Sequence, residues 1–298
     1  MKFGEKLRQL RESRGLTREF LCGNESQLSI RQLARIEAGT SIPTLPKLLY
    51  LSQKLGISLD ELADEKDYQL PKRYLELKFL IIRTATYGDP LRLEVGDRYF
   101  DEIFQNYYAK LPEDEQLAVD CLQARWDVHI SDNVNFGLGI LNDYFAQVLK
   151  RVEFSVNDLL LIDLYLLCTM TSVYQDDDYD FETYQLLMER LLHQGEELPT
   201  ENLYVLNNVL LNSFHLAYTL KQDSFIEGIL TKSQELMVRI QDFQKKPIWN
   251  LFQWKLALKQ GNNEKADQFY KDAILFSRLI GDEYLGSKLD EEWVKDNS

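Results

Sequence analysis

Beyond residue 72 the chain keeps its prolines out of its helices. Pro90, Pro112, Pro199 and Pro247 each fall between stretches of helical period and never inside one. A proline within a helix removes a hydrogen bond and clashes with the preceding turn, so prolines confined to joints reserve everything between them for helix. The apolar periodicity predicts helices over 73–84, 91–109, 113–130, 133–151, 156–174, 180–194, 201–220, 222–243, 247–260, 263–280 and 282–295, and it requires no strand. Consecutive helices with short joints imply a helical-repeat array with a period of about 34 to 40 residues.

The first sixty-five residues follow a different plan. Phe3, Leu7 and Leu10 share one helical face, and Gly15 stops that helix before Thr17 caps the next. Pro43 breaks the chain, Thr44 caps a helix carrying Leu45, Leu48, Leu49 and Leu55, and Gly56 ends it. Ser58 and Glu61 then form a capping box for a last short helix. Between these lies Leu16 to Gly39, LTREFLCGNESQLSIRQLARIEAG, two short helices joined by a polar turn. With Ser29 as N-cap, a step of about 100° per residue puts Ile30, Leu33, Ala34 and Glu37 on a buried back, and Arg31, Gln32 and Arg35 on an outward front. Arg31 and Arg35 stand one turn apart, so both guanidinium forks can reach guanine or phosphate from a major groove.

These residues resemble the helix-turn-helix domain of the Cro/phage-repressor (XRE) class over Phe3 to Leu62, most clearly in LTREFL and SIRQLARIEAG. The turn GNESQ is one residue longer than usual. The resemblance implies that Arg18 contacts the DNA backbone, that Arg31 and Arg35 read bases beside Ser29 and Gln32, and that Arg11 neutralises the buried Glu37. Cys22 stands where the class keeps a small residue at the helix crossing, which makes it a packing residue.

Charge separates the two regions. Residues 1–65 hold ten Lys/Arg against nine Asp/Glu, and the remainder holds 24 against 39, a net of −15. Only the first region can approach a polyanion. The expected organisation is all-α: a helix-turn-helix domain at 1–65, a linker at 66–72 inside the polar string DEKDYQLPK, and a repeat domain at 73–298. The three cysteines are few and set in apolar stretches, as in a reducing cytoplasm. There is no run of eighteen consecutive apolar residues and no N-terminal leader pattern, so neither a membrane span nor secretion is expected.

In the repeat domain, GNNEKADQFYKDAI resembles the second helix of a tetratricopeptide repeat, with Ala266, Tyr270 and Ala273 at small, large and small positions. Joined to the helix-turn-helix, it resembles the Rgg-type pheromone receptors, and within them the ComR-like branch. LCGNESQLSIRQLARIEAGTSIPTL and FSVNDLLLIDLY (154–165) carry that likeness. It implies a cytoplasmic quorum-sensing and competence-type transcription regulator, without cofactor, that binds a short imported peptide pheromone in the repeats and then promoter DNA as a homodimer.

The residues offer places for such a peptide. Asn208, Asn212, His215 and Thr219 form one polar line on an otherwise apolar helix, and an amide supplies both the donor and the acceptor that an extended peptide needs. The competing reading is an interhelical hydrogen-bond seam with no ligand. Trp249, Gln253 and Trp254 form a second wall or ordinary inter-repeat packing. Arg92 or Arg98 is placed to receive a peptide carboxylate. At the C-terminal end, Leu285, Leu289 and Trp293 make an apolar stripe that either caps the array or meets a second copy. Two acidic clusters, Glu113-Asp114-Glu115 and the aspartates of 176–180, fall on joints, where Glu113 or Glu115 can pair with Arg35 and hide the recognition helix.

Other chemistries are excluded on pattern. GLG at 137–139 has no preceding strand, DDDYD lacks the glycine and glutamate of a calcium loop, and His129, His193 and His215 have neither metal nor triad spacing. No enzyme is expected. Three classes remain: a peptide-gated transcription factor, a repressor whose repeats only oligomerise, and a repeat scaffold for a protein partner.

Overall fold

The structure is a computed structural model and describes residues 3–63, 69–176, 180–194, 196 and 198–297. Sixteen α-helices and no strand occur among the described residues. The first five are α1 (Phe3–Ser13), α2 (Arg18–Cys22), α3 (Ile30–Glu37), α4 (Leu45–Leu55) and α5 (Leu59–Leu62). The next five are α6 (Lys72–Arg83), α7 (Pro90–Asn106), α8 (Glu113–Ser131), α9 (Asn135–Val148) and α10 (Val156–Asp176). Then follow α11 (Phe181–His193), α12 (Leu203–Thr219), α13 (Asp223–Ile240), α14 (Lys246–Lys259), α15 (Asn263–Leu279) and α16 (Glu283–Asp296). Each helix expected from periodicity is present, with ends shifted by a few residues where turns take over.

The chain divides into two compact units, Met1–Ala85 with Leu91–Tyr165, and Thr86–Pro90 with Leu166–Ser298. Within the first unit, side chains of α3 and α4 hydrogen-bond to α8 and α9. Residues 66–68 of the expected linker lie outside the described residues, and α6 already begins at Lys72.

In the first unit, α1 to α5 close around Leu7, Leu21, Cys22, Leu28, Leu33, Ile36, Leu48, Leu51, Leu55 and Leu62, all buried. Burial pushes the Cys22 thiol up to about 12, which leaves it an apolar packing group. Gly4 lets α1 lie directly on α3: a Cβ there would sit 2.2 Å from the carbonyl oxygen of Ile36. Beneath the recognition helix, Glu37 accepts from Arg11 Nε at 2.6 Å and Nη2 at 3.1 Å. This bidentate pair gives the buried carboxylate a charge partner.

Gly56, in the left-handed region at φ 65°, terminates α4. Helix α10 passes from the first unit into the second. Its window Val156–Val173 has a mean hydropathy of 1.4, enough by length and composition alone to cross a membrane. Of that window 61% is buried, and its two aspartates pair with Arg151 and Arg125, as in a core helix.

In the second unit, α12 packs on α13, and α14 on α15, as successive antiparallel pairs. Ala266 and Ala273 are fully buried, as the repeat pattern requires, and let α15 approach α14 closely. Helix α16 closes this end. Of the second acidic cluster, 177–179 lie outside the described residues, and Asp180 caps α11 by accepting from Thr183 N at 3.1 Å.

Candidate nucleic-acid interface and peptide groove

Ser29 is the N-cap of α3: its hydroxyl accepts from Gln32 N at 3.1 Å while the Gln32 side chain accepts from Ser29 N at 3.1 Å. That reciprocal box draws Gln32 back along the helix. Gln32 is 3% exposed and receives Gln147 Nε2 from α9, so its expected place on the outward front is corrected. Arg31 is exposed. Arg18 keeps about a third of its side chain exposed and places Nε 2.9 Å from Glu37, a second guanidinium on the same buried carboxylate.

Arg35 donates to Glu113 in the first turn of α8. Ser41 donates to the other oxygen of Glu113 at 3.1 Å. The next carboxylate, Asp114, accepts from Thr44 Oγ1 at 3.2 Å and from Lys47 Nζ at 2.6 Å. Two successive carboxylates thus hold four donors of α3, the following loop and α4. Three acids in the first turn of α8 also suit the positive end of its dipole.

Glu115 does not join them, and its expected pairing with Arg35 is corrected. It points into the body, where Tyr74 and Lys78 each reach Oε2 at 2.7 Å and Asn157 Nδ2 reaches Oε1 at 3.1 Å. Burial pushes this carboxyl up, but Lys78 and the hydrogen bonds hold it below the usual range. Successive helical residues diverge by about 100°, so one side chain of three had to face inward.

A second contact lies at the turn before α3. Gln147 Nε2 donates to the carbonyl of Glu25 at 3.0 Å, and Arg151 Nε donates to that of Ser26 at 2.5 Å. Arg151 is itself paired with Asp158 in the first turn of α10, next to Asn157. The sequence reading missed Ser41, Thr44, Lys47, Gln147 and Arg151. One signal was available: Lys47 occupies the third position of α4, where an acidic residue would suit the dipole, so a lysine there implies an anionic partner.

In the second unit, α12 is buried on most sides, yet Asn208 is half-buried and Asn212 and His215 are exposed. Gln253, on α14, is half-buried. Trp249 is spent on packing: its indole N–H donates to the carbonyl of Leu230 at 2.9 Å, Lys246 Nζ lies 3.4 Å from its ring centre, and its edge meets Phe269. It is corrected from groove wall to inter-helix contact. Arg92 belongs to the first unit and donates to the carbonyl of Ala85 at 2.9 Å.

The stripe on α16 is also spent within the chain. Leu285 and Leu289 are each 2% exposed, in a core with Trp254, Ala257, Ala266 and Ala273. Trp293 stacks on Tyr270 with ring centres 4.5 Å apart. Of the two readings of this stripe, the cap is the one this chain shows.

Comparison with known families assigns residues 4–67 to a helix-turn-helix domain and residues 71–293 to the ComR tetratricopeptide family. The chain belongs to the ComR family. Three solved structures of that family are similar to it over nearly the whole length. ComR from Streptococcus suis is 38% identical, with 99% of this chain and 95% of that chain covered and a TM-score of 0.81. The apo form of the competence regulator ComR from Streptococcus vestibularis is 30% identical, covering 99% and 97%, with a TM-score of 0.80. ComR from S. thermophilus in complex with DNA and its signalling peptide ComS is 28% identical, covering 100% of both chains, with a TM-score of 0.70. No curated protein matches the chain.

Proposed function

We propose that the chain is a cytoplasmic, competence-type transcription activator that binds a short peptide in its second unit and then promoter DNA as a dimer. The observation that carries this reading is the pairing of Glu113 and Asp114 with Arg35, Ser41, Thr44 and Lys47. Carboxylates here occupy donors of the kind that a DNA backbone would otherwise take, so this is the closed state of a DNA-binding surface. Peptide binding releases it. The pairs are mostly buried, so their net worth is attraction set against desolvation, and a difference of a few kcal/mol is within reach of the differential affinity of a small ligand.

The similar protein from S. thermophilus was solved with DNA and a signalling peptide, which supports the same pair of ligands here. The line of Asn208, Asn212 and His215, with Gln253, is the proposed peptide contact; Arg31 and Arg35 are the proposed base readers. Because α16 is closed on its own core, the readings in which the repeats serve only to oligomerise or to hold a protein partner lose their surface on this helix.

The test is selection from a random duplex pool with the full chain and with a Glu113→Lys, Asp114→Lys variant. The variant should enrich a two-fold symmetric sequence without peptide, and wild type should not. Failure of the variant to enrich any sequence would remove the reading.

A further inference from the structure

A cavity of about 560 Å³ opens between the C-terminal ends of α12 and α14, closed on one side by Asp296 of α16. Its wall carries three lysines, Lys221, Lys255 and Lys259, in a protein whose formal net charge is −14. They are not equally occupied. Lys255 Nζ is neutralised in place, 2.6 Å from Glu292 and 2.8 Å from Asp296. Asp296, the one carboxylate of the wall, also accepts from Trp254 Nε1 at 2.9 Å, so its oxygens are already used. Lys259 reaches only Asp223, at 3.4 Å between two solvent-exposed side chains. Lys221 makes no ion pair among the described residues.

The remaining surface is aromatic. Phe214 is stacked between Tyr218 and Phe252, and the Lys259 ammonium lies 5.3 Å from the centre of the Tyr218 ring. Although His215 is exposed at its edge, the protein packed around its ring, with Lys255 nearby, holds the imidazole below its ordinary pKa, so at neutral pH it offers one donor and one acceptor and no charge. Cations near helix C-termini are favourable in themselves, which accounts for Lys221 and Lys259 separately. It does not account for their sharing an open, aromatic-floored cavity.

Position links this cavity to the proposed groove. His215 and Thr219 line it and are also the last two members of the polar line that starts at Asn208. A rise of about 1.5 Å per residue makes that line roughly 16 Å long, the reach of about five extended peptide residues.

Resting on the peptide-binding reading, we propose that the cavity receives a carboxylate of the bound peptide, from an acidic side chain or from its C-terminus, between Lys221 and Lys259. The probes are two synthetic octapeptide libraries of apolar-biased composition, one ending in the free acid and one in the amide. Each is affinity-selected on the full chain and read by mass spectrometry.

Wild type should enrich Asp- or Glu-containing members in both libraries if the side chain is the source, or the free-acid library alone if the C-terminus is. In either case the preference should be about fivefold or more. The Lys221→Gln, Lys259→Gln double variant, whose changes are on exposed residues, should lose that preference while still retaining neutral peptides. Lys221→Arg with Lys259→Arg should keep it. Peptides retained without any charge preference, or a preference unchanged in the glutamine variant, would overturn the proposal alone. Retention of no peptide by wild type would overturn it together with the peptide-binding reading.

Discussion

Lys47 of α4 is buried with its ammonium 2.6 Å from Asp114 of α8, an ion pair that ties the helix-turn-helix to the helices that follow it. Lys47 is 8% exposed at its side chain and Asp114 23%, so removing either partner strands the other in a poorly solvated place. Asp114→Ala should therefore open the surface, raising affinity for a mixed-sequence duplex at least about tenfold without peptide. Lys47→Ala should open it too but gain less, because the same ammonium is then missing from the phosphate contacts. Anisotropy titrations of both variants check the order.

Arg31 and Arg35 should separate under mutation. Each loss should cost about 1–3 kcal/mol in sequence-specific affinity when the surface is already open. In the closed protein, Arg35→Ala also removes the donor to Glu113, so it should bind mixed-sequence DNA more readily than Arg31→Ala does. Equal behaviour of the two variants in both assays would contradict the arrangement.

Glu115 gives stability a defined pH dependence. Its folded pKa is depressed, mainly by Lys78 acting against burial. The contribution is therefore complete above the ordinary carboxylate value of about 4.3 and is lost as pH falls below that, through the folded value. Urea midpoints should drop between about pH 5 and pH 3. Glu115→Gln should flatten that drop and cost about 3 kcal/mol at neutral pH, since it leaves Lys78 buried without its charge partner.

Leu289→Ala should behave as a core truncation. The residue is 2% exposed beneath Trp254 and Trp293, so a loss of about 2–4 kcal/mol in unfolding free energy is expected. Light scattering should show the same mass as wild type. A shift to a smaller species at unchanged stability would return α16 to an intermolecular role.

Much of this protein is local and was therefore legible. Helix existence and the Ser29 N-cap follow from periodicity and short-range hydrogen bonding, whose spacing along one helix or motif already states the geometry. The Arg11 to Glu37 pair and the closely packed Ala266 and Ala273 came from the resemblance to the helix-turn-helix class and to the tetratricopeptide repeat. Arg35 with Glu113 was also foreseen, since opposite charges on neighbouring segments attract at any register.

What the tertiary structure decided is direction. Glu113, Asp114 and Glu115 are chemically near-equivalent in sequence, yet α8 turns by about 100° per residue, sending two toward α3 and α4 and one into the body. Gln32 is polar and was assigned to the open face, but its capping bond and the approach of α9 bury it. Leu285, Leu289 and Trp249 are apolar in either setting, and composition does not say whether a stripe meets its own chain or another. Sequence specifies which faces must be covered; only the packing of distant helices specifies by what.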